Sequence, residues 1–422
     1  MSGLERVVRT VGNVGSAVSI GGRTLLSVDT NPVPEWEHVT KVDPEDEKQL
    51  PLAYPLYLQH TGGVSVGGSR DVTERNTEET FDLVNAADVT AFHEPSAAAH
   101  VTDRTRDQAA FLAVPEVLNG DSQAIVGTLG EGIEHVKEEL APKLIADKLP
   151  LRVGDGVTDR LANFAASWLI REAVFEAYII MNTDSAAARE ANVGEDDLLE
   201  PREAKQRAMA AERHLESEVI YLEYSGTFGG EEAVAILEAV DEGVDWSRIW
   251  YGGGLDDRAN AEAVLDAGAD AVVVGNVFHD VADEEAALYE AAVDDLPADA
   301  TRDAVEDWVA AQREPGETSA ARYLSTITGV PDPERRAVRY LAAGVHVALQ
   351  LRALAADLDD PDAATLRRTL AGETVPGESA FADALAADAR PLARRLGLSV
   401  LAEAFDVDLD DGFESRHLAV SL

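Results

Sequence analysis

Cysteine is absent from this chain of 422 residues, and lysine occurs only six times, with none after Lys205. The lack of cysteine excludes disulfide bonds and metal sites built on thiolates. No apolar run approaches the ~20 residues that a helix needs to cross a bilayer. Apolar residues still make up 45% of the chain, which is ample for a sizeable core. We therefore expect a soluble cytoplasmic protein.

Positive charge is also scarce, because 79 acidic residues face 35 basic ones and the formal net charge is −44. Nucleic-acid binding needs a basic face, and the sequence offers none. Such an acidic excess is a known device of salt-adapted proteins, since at molar salt a Debye length of ~3 Å screens the self-repulsion. The composition therefore predicts a halophilic protein without a nucleic-acid partner. A cation-binding or nucleic-acid-mimicking role is the less favoured alternative.

Residues 34–295 alternate short apolar runs with helical stretches, a pattern typical of parallel βα units. The runs predict eight strands, the number of a TIM-type (β/α)8 barrel. They are residues 37–42, 63–66, 88–92, 109–114, 176–181, 218–223, 248–252 and 269–274.

The remaining segments lack this alternation. Residues 1–33 form a poorly patterned N-terminal arm, and the interval between the fourth and fifth strands predicts helices over 131–146 and 159–174. Residues 296–422 carry apolar residues at helical spacing, with further helices over 363–370, 379–396 and 400–405. Asp332 could cap a helix that begins at Pro333. We expect an additional C-terminal α-helical domain, whose role the sequence does not assign.

Three consecutive strand ends carry glycine or a small hydroxyl residue, and a helical pattern follows each of them. They are residues 221–226 (YLEYSG), 251–254 (YGGG) and 272–276 (VVVGN). Backbone N–H groups at such ends can point at one phosphate, as in barrels that hold phosphorylated ligands. Gly253, Gly254, Gly275 and Asn276 would form this cradle.

Charged residues stand at the ends of other predicted strands. Lys41 and Asp43 lie two apart, so their side chains should face the same way. Lysine suits phosphate as a compact point charge, and aspartate suits a hard cation such as Mg²⁺. Glu223 lies inside an apolar strand, where it could orient a polyol and accept a proton from an attacking hydroxyl. A solvated Lys41–Asp43 pair and an ion-paired core Glu223 are the alternatives.

Together, and in this order, the motifs resemble those of the geranylgeranylglyceryl phosphate synthase family, which includes bacterial heptaprenylglyceryl phosphate synthases. The similarity spans roughly residues 34–290, and a weaker segment at 111–121 includes Asn119. The main motifs stand here as Trp36, His38, Thr40, Lys41, Asp43 and Pro44, then Gly67 to Ser69, Tyr221 to Gly226, Tyr251 to Leu255, and Val273 to Asn276. Each motif is modest alone, but their combination at barrel spacing is a strong signal.

The resemblance implies a Mg²⁺-dependent prenyltransferase. It would move a geranylgeranyl group from its diphosphate to the 3-hydroxyl of sn-glycerol 1-phosphate, which forms the first ether bond of archaeal membrane lipids. Asp43 and Ser69 would ligate Mg²⁺, and Lys41 and Glu223 would be catalytic. The glycerol 1-phosphate site would comprise Lys41, Tyr221, Leu222, Glu223, Tyr224, Ser225, Gly226, Gly253, Gly254, Gly275 and Asn276.

The chain departs from the family pattern after the third strand, where the family's F-P-G appears as Phe92-His93-Glu94-Pro95-Ser96 and Glu94 introduces a charge near the prenyl groove. Two alternatives remain open: a non-catalytic paralogue that kept the phosphate pocket, and another phosphate-binding barrel. Only the transferase needs an apolar channel beside Asp43. The donor chain length, a transient contact with a membrane surface and assembly into a homo-oligomer also remain open.

Overall fold

A computed structural model describes residues 29–45, 50–68, 71–121, 128–140, 163–164, 166–167, 170–171, 173–372, 374–385, 388–409 and 418–422. Its strands are rich in valine, isoleucine and aromatic residues, which favour a pleated, buried backbone. They are β1 (His38–Val42), β2 (Gly63–Val66), β3 (Ala91–His93), β4 (Ala113–Val117), β5 (Val174–Ile180), β6 (Val219–Glu223), β7 (Arg248–Gly252) and β8 (Ala271–Val274).

The eight strands form one sheet in the order β3-β2-β1-β8-β7-β6-β5-β4, and every paired neighbour is parallel. The two edge strands meet at a bridge between His93 and Leu112. Backbone N–H groups of Ala110 and His93 donate to the carbonyls of Ala91 and Phe111, at 2.8 and 3.1 Å. The sheet is thus a nearly closed barrel, and the predicted TIM-type fold is confirmed.

Helices surround the barrel, and several begin at a residue whose side chain accepts a hydrogen bond from the backbone three residues on, as at Thr73, Thr102, Ser185 and Asp257. The helices of this region are α1 (Tyr54–Leu58), α2 (Glu74–Asn85), α3 (Asp103–Gln108), α4 (Thr128–His135), α5 (Ala186–Ala191), α6 (Pro201–Ala210), α7 (Gly230–Asp241), α8 (Arg258–Asp266) and α9 (Asn276–Asp295). Two π-helical turns, Val136–Leu140 and Ala211–Leu215, directly follow α4 and α6.

The C-terminal segment is helical, as predicted. It contains α10 (Arg302–Gln312), α11 (Ser319–Thr326), α12 (Pro333–Ala356), α13 (Ala363–Thr369), α14 (Glu378–Leu385) and α15 (Ala389–Ala404). Its buried side chains and those between the strands and the barrel helices belong to one continuous apolar cluster. The described helices include none that is long and apolar enough to span a bilayer.

Side chains alternate between the two faces of each strand. A second cluster, which includes Trp36, Val39, Phe92, Tyr178 and Trp250, fills the interior of the barrel. The intervening residues face the surrounding helices. Every second residue of a strand therefore points into the interior. This series continues up to the mouth, which is the rim formed by the carboxyl ends of the strands.

The outward face of β1 is covered by the C-terminal helix α11. The hydroxyl groups of Thr40 and Tyr323 share a hydrogen bond of 2.7 Å. The His38 ring contacts the hydroxyl groups of Thr61 and Thr326 at 3.0 and 3.1 Å. Burial lowers the pKa of His38 to about 3, so its ring is neutral. Two polar residues of the first motif thus attach the C-terminal helices to the barrel.

Several predicted boundaries differ from the structure. Strand β3 begins at Ala91 rather than at residue 88, because Asp88 adopts a left-handed conformation (φ 54°) that ends the turn after α2. Strand β4 covers Ala113–Val117 rather than residues 109–114, because α3 extends to Gln108. The end of the helix predicted over 159–174 is wrong, since Val174 begins β5; half of that stretch lies outside the described residues.

Two predictions about the C-terminal helices are also wrong. Asp332 precedes α12 but makes no capping hydrogen bond, because its backbone is left-handed (φ 49°) instead of extended. The single helix predicted over 379–396 is two helices, α14 and α15. The second of them also includes most of the separate helix predicted over 400–405.

Candidate active site

Lys41 and Glu94 form an ion pair at the mouth of the barrel. The Lys41 ammonium lies 3.2 Å from both carboxylate oxygens of Glu94. The hydroxyl groups of Ser65 on β2 and Tyr178 on β5 also donate hydrogen bonds to this carboxylate, at 2.8 and 2.7 Å. Glu94 thus joins three strands of the barrel, and its side chain is only 15% exposed, against 30% for Lys41.

The ionisation of both partners follows from this contact. Burial acts to lower the pKa of Lys41, but the carboxylates of Glu94, Asp43 and Glu223 outweigh it and raise that pKa. Burial acts to raise the pKa of Glu94, but the Lys41 ammonium and the hydroxyl donors outweigh it and lower that pKa. Both side chains are therefore charged at neutral pH.

Asp43 follows β1 on the same side as Lys41, as predicted. Its backbone N–H donates to Nε2 of His279 in the first turn of α9, at 3.4 Å. Burial lowers the pKa of His279, so the neutral ring can accept this hydrogen bond. The buried Oδ1 atom of Asp43 has no hydrogen-bond partner among the described residues. Gly68 packs beside it, since a Cβ there would lie 3.2 Å from the Asp43 Cβ.

The amino terminus of α9 approaches Lys41 from the next strand. Gly275 precedes this 20-residue helix, and a Cβ on it would lie 3.4 Å from the Lys41 Cβ. The first N–H groups of a helix have no partner within it and carry a partial positive charge. Lys41 and this helix terminus therefore offer an anion two sources of positive potential at one place.

Gly253 and Gly254 form a close turn beneath the loop that follows β6. Their φ values are 150° and 51°, which residues other than glycine rarely adopt. A Cβ on Gly253 would overlap Tyr224, and one on Gly254 would overlap the backbone of Thr227 and Phe228. The two glycines thus allow this loop to lie directly on the end of β7.

Glu223 ends β6 with its carboxylate inside the barrel. Its Oε1 atom accepts a hydrogen bond from the Ser225 N–H at 2.9 Å, and the Ser225 carbonyl accepts one from the Asn182 amide at 2.6 Å. Burial raises the pKa of Glu223, although the Ser225 bond and Lys41 oppose this. Tyr221, two residues earlier, stacks on Tyr178 with ring centroids 4.4 Å apart.

The structure brings together most of the predicted residues. Lys41, Asp43, Glu223 and Gly275 share one end of the barrel, as their mutual electrostatic effects and contacts show. The side chains of Leu222 and Tyr224 instead face the outer helices, so only their backbones could reach a ligand. Ser69 lies outside the described residues. Ser225, Gly226 and Asn276 are exposed at the mouth.

Sequence reasoning missed Glu176. This residue lies within β5, is almost fully buried, and neither of its carboxylate oxygens has a hydrogen-bond partner in the described part of the chain. Burial, with help from the Glu94 charge, raises its pKa well above the usual value. The signal that identified Glu223, a carboxylate inside an apolar strand, also applies to Glu176.

The described residues contain no group of three or more His, Asp or Glu side chains arranged to hold a metal ion. Among the described residues at this mouth, Asp43 has a buried carboxylate oxygen without a hydrogen-bond partner.

Comparison with known proteins finds similar synthases. The geranylgeranylglyceryl phosphate synthase of Halobacterium salinarum is 33% identical over 254 residues, which are 60% of this chain and 91% of the relative. The Haloquadratum walsbyi protein of the same name is 31% identical over 64% of this chain and 98% of its own length. The Thermoplasma acidophilum synthase crystallised with sn-glycerol-1-phosphate aligns with a TM-score of 0.43 and 20% identity, over 58% of this chain and 86% of that one.

A sequence model of a protein family also matches this chain. The model described as PcrB family matches residues 31–293, which is more than half of the chain and nearly all of the barrel. The C-terminal helices lie outside this match. The chain therefore belongs to the PcrB family, and the resemblance to the geranylgeranylglyceryl phosphate synthases is confirmed.

Proposed function

We propose that this protein is a prenyltransferase that attaches a geranylgeranyl group to the 3-hydroxyl of sn-glycerol 1-phosphate. The observation that supports this most directly is the convergence at one barrel mouth of Lys41, the amino terminus of α9 at Gly275 and the Gly253–Gly254 turn. Relatives named geranylgeranylglyceryl phosphate synthase support this choice of substrates. The high negative charge suits a salt-rich cytoplasm.

The phosphate of the acceptor would lie between Lys41 and the first N–H groups of α9. A helix amino terminus binds anions through its free N–H groups, and lysine adds a full charge. The close turn at Gly253 and Gly254 lets the loop after β6 lie directly on the end of β7, beside this site. The glycerol hydroxyls would then extend toward Glu223, whose carboxylate faces the interior.

In the proposed reaction, the 3-hydroxyl oxygen of the acceptor forms a bond to C1 of the prenyl group. The bond between C1 and the diphosphate oxygen breaks, and the diphosphate leaves with the electron pair. Glu223 accepts the hydroxyl proton, and its raised pKa makes it a better base than an exposed carboxylate. The protein's main contribution is to hold the two substrates together and to exclude water from the carbocation-like centre.

Asp43 fits a Mg²⁺ site of the kind that relies on substrate phosphates. Mg²⁺ is commonly bound by one or two carboxylates together with phosphate oxygens and water. The unpartnered Oδ1 atom of Asp43 could supply such a ligand, and Ser69 is the second residue that we propose. A bound Mg²⁺ would neutralise charge on the leaving diphosphate.

The proposal is tested by incubating the protein with radiolabelled sn-glycerol 1-phosphate, geranylgeranyl diphosphate and Mg²⁺ in molar KCl, followed by butanol extraction. We expect label in the butanol layer for the wild type and for Lys205→Met, which removes a lysine on outer helix α6. Lys41→Met should leave the label in water. If the wild type also leaves it there while a known synthase transfers it, the transferase proposal is wrong.

One observation favours a second candidate, a barrel that keeps the phosphate pocket without transfer activity. Glu94 already forms an ion pair with Lys41. A phosphorylated ligand would therefore meet a carboxylate at the lysine that we propose as its phosphate contact. A protein of this kind would bind sn-glycerol 1-phosphate in a calorimeter but would produce no extractable lipid in the transfer assay.

A further inference from the structure

We propose that Glu94 acts as an internal competitor of the phosphorylated ligand and thereby sets the affinity of the site. Its carboxylate occupies Lys41 in this structure, at the place where the phosphate would lie, and it has to leave Lys41 when the ligand binds. This inference rests on the proposed function, because it takes Lys41 as the phosphate contact.

Glu94 engages Lys41 with both oxygens of its carboxylate. Both carboxylate oxygens lie 3.2 Å from the ammonium nitrogen, so the pair is bidentate. The hydroxyl groups of Ser65 and Tyr178 complete the set of donors. Charge-assisted hydrogen bonds of this kind are among the strongest in proteins. A phosphate that displaces Glu94 from Lys41 must replace the hydrogen bonds that Glu94 made to the ammonium group.

The backbone of Glu94 is fixed, so the exchange must occur by rotation of its side chain. The Glu94 N–H donates to the Val66 carbonyl at 3.0 Å, which continues the pairing of β2 with β3. Gly67 packs against the Glu94 carbonyl so closely that a Cβ there would overlap it. The side chain, in contrast, is 15% exposed and is the part of Glu94 that these backbone contacts leave free to rotate.

Lys41 is surrounded by more negative charge than it can neutralise. Asp43 on its own strand and Glu223 on β6 both act on it in addition to Glu94. Two anions on one ammonium repel each other, and the low exposure of the pair limits screening by salt. The phosphate and Glu94 are therefore alternative partners of Lys41.

Titration calorimetry with sn-glycerol 1-phosphate, in 2 M KCl at pH 7.5, tests this competition in the full-length protein. We expect Glu94→Gln to lower Kd about tenfold or more, since a neighbouring opposite charge typically shifts an equilibrium by one or more powers of ten. Glu242→Gln is the matched control, because it breaks the exposed Lys205–Glu242 pair on the outer helices and should leave Kd unchanged.

A double variant separates direct competition from a general change in electrostatic field. If Glu94 acts through Lys41, Glu94→Gln should give no gain in affinity when Lys41→Met is already present. A gain of the same size in both backgrounds would overturn the inference. Should Glu94→Gln fail to fold by circular dichroism, Ser65→Ala removes one donor to Glu94 and should give a smaller decrease in Kd.

The calorimetry distinguishes a failure of this inference from a failure of the proposed function. An equal or higher Kd for Glu94→Gln, with a wild type that binds, would refute the competition and leave the proposed function standing. Binding by Glu94→Gln alone would support the competition and argue against transfer by the wild type. If neither protein binds sn-glycerol 1-phosphate, both the phosphate site and the competition are wrong.

Discussion

Replacement of Gly344 by alanine tests how the C-terminal helices are attached to the barrel. Gly344 lies in α12, and a Cβ at this position would overlap the carboxyl group of Glu285 on α9. Glu285 is fully buried, and its carboxyl accepts hydrogen bonds from the backbone N–H groups of Leu52 and Ala53. The added methyl group must therefore displace a carboxyl that the barrel's own backbone holds in place.

The expected size follows from three opposing effects. Alanine in place of glycine within a helix normally stabilises a protein by ~0.5–1 kcal/mol. Overpacking costs about 1–3 kcal/mol. Disturbing the hydrogen bonds of buried polar groups costs about 1–3 kcal/mol more. The difference predicts a net loss of about 1–5 kcal/mol in the free energy of unfolding for Gly344→Ala.

Urea unfolding in 2 M KCl, followed by tryptophan fluorescence, measures this loss. Gly329→Ala is the control in the same C-terminal segment, because no atom of the described residues lies within 4 Å of the Cβ that it adds. That control should change stability by less than about 0.5 kcal/mol. If Gly344→Ala proves as stable as the wild type, or more stable, the close contact between α12 and Glu285 does not exist in solution.

Three other changes test the fold and the site. Burial raises the pKa of Glu285 to about 8, so its ionisation should cost the wild type stability as the pH rises from about 4.5 to 8. Glu285→Gln should lack that loss, and urea midpoints that differ by a constant amount from pH 5 to 8 would contradict the prediction. Gly254→Ala should raise the KM for sn-glycerol 1-phosphate about tenfold or more, because the methyl group displaces the loop after β6. Gly230→Ala has a similar positive φ but open space within the described structure, so an equal effect there would mean that strain and not packing is responsible. Asp43→Asn should abolish transfer while calorimetry still detects glycerol phosphate binding, and unchanged turnover would show that the metal assignment is wrong.

The strands were largely predictable because each is a short, continuous apolar run between polar segments. The bounds of β2 (Gly63–Val66) and β7 (Arg248–Gly252) agree with the prediction, since glycine flanks both runs. β3 and β4 were placed too early along the chain, because the apolar residues before them lie outside the regular strands, and Leu112 forms only an isolated bridge with His93. Local sequence cannot distinguish such residues from a strand, because only pairing with a neighbour does so.

The meeting of Lys41, Asp43, Glu223 and Gly275 was predictable from the barrel, because parallel strands bring their carboxyl ends to one rim. The ion pair with Glu94 was not, since it depends on the register of β1, β2 and β3 and on side-chain rotamers. The roles of these residues toward substrates and Mg²⁺ stay predictions.

The attachment of the C-terminal helices could not be predicted either. Their apolar spacing indicates helices but does not say which surface they cover. The contacts of Tyr323 and Thr326 with β1 join residues more than 280 positions apart. The motif residues His38 and Thr40 were identified by resemblance, and only the structure shows that they face away from the interior.

The coverage of β1 by α11 has a consequence for the solvation of that strand. The strand that carries Lys41 and Asp43 on one face presents His38 and Thr40 on the other, and both of those are satisfied by hydroxyl groups of the C-terminal segment. Loss of these appended helices would uncover two polar groups directly behind Lys41, where water would have to replace the hydroxyl partners that His38 and Thr40 now have. The appendage therefore keeps solvent away from the back of the strand whose other face carries the site.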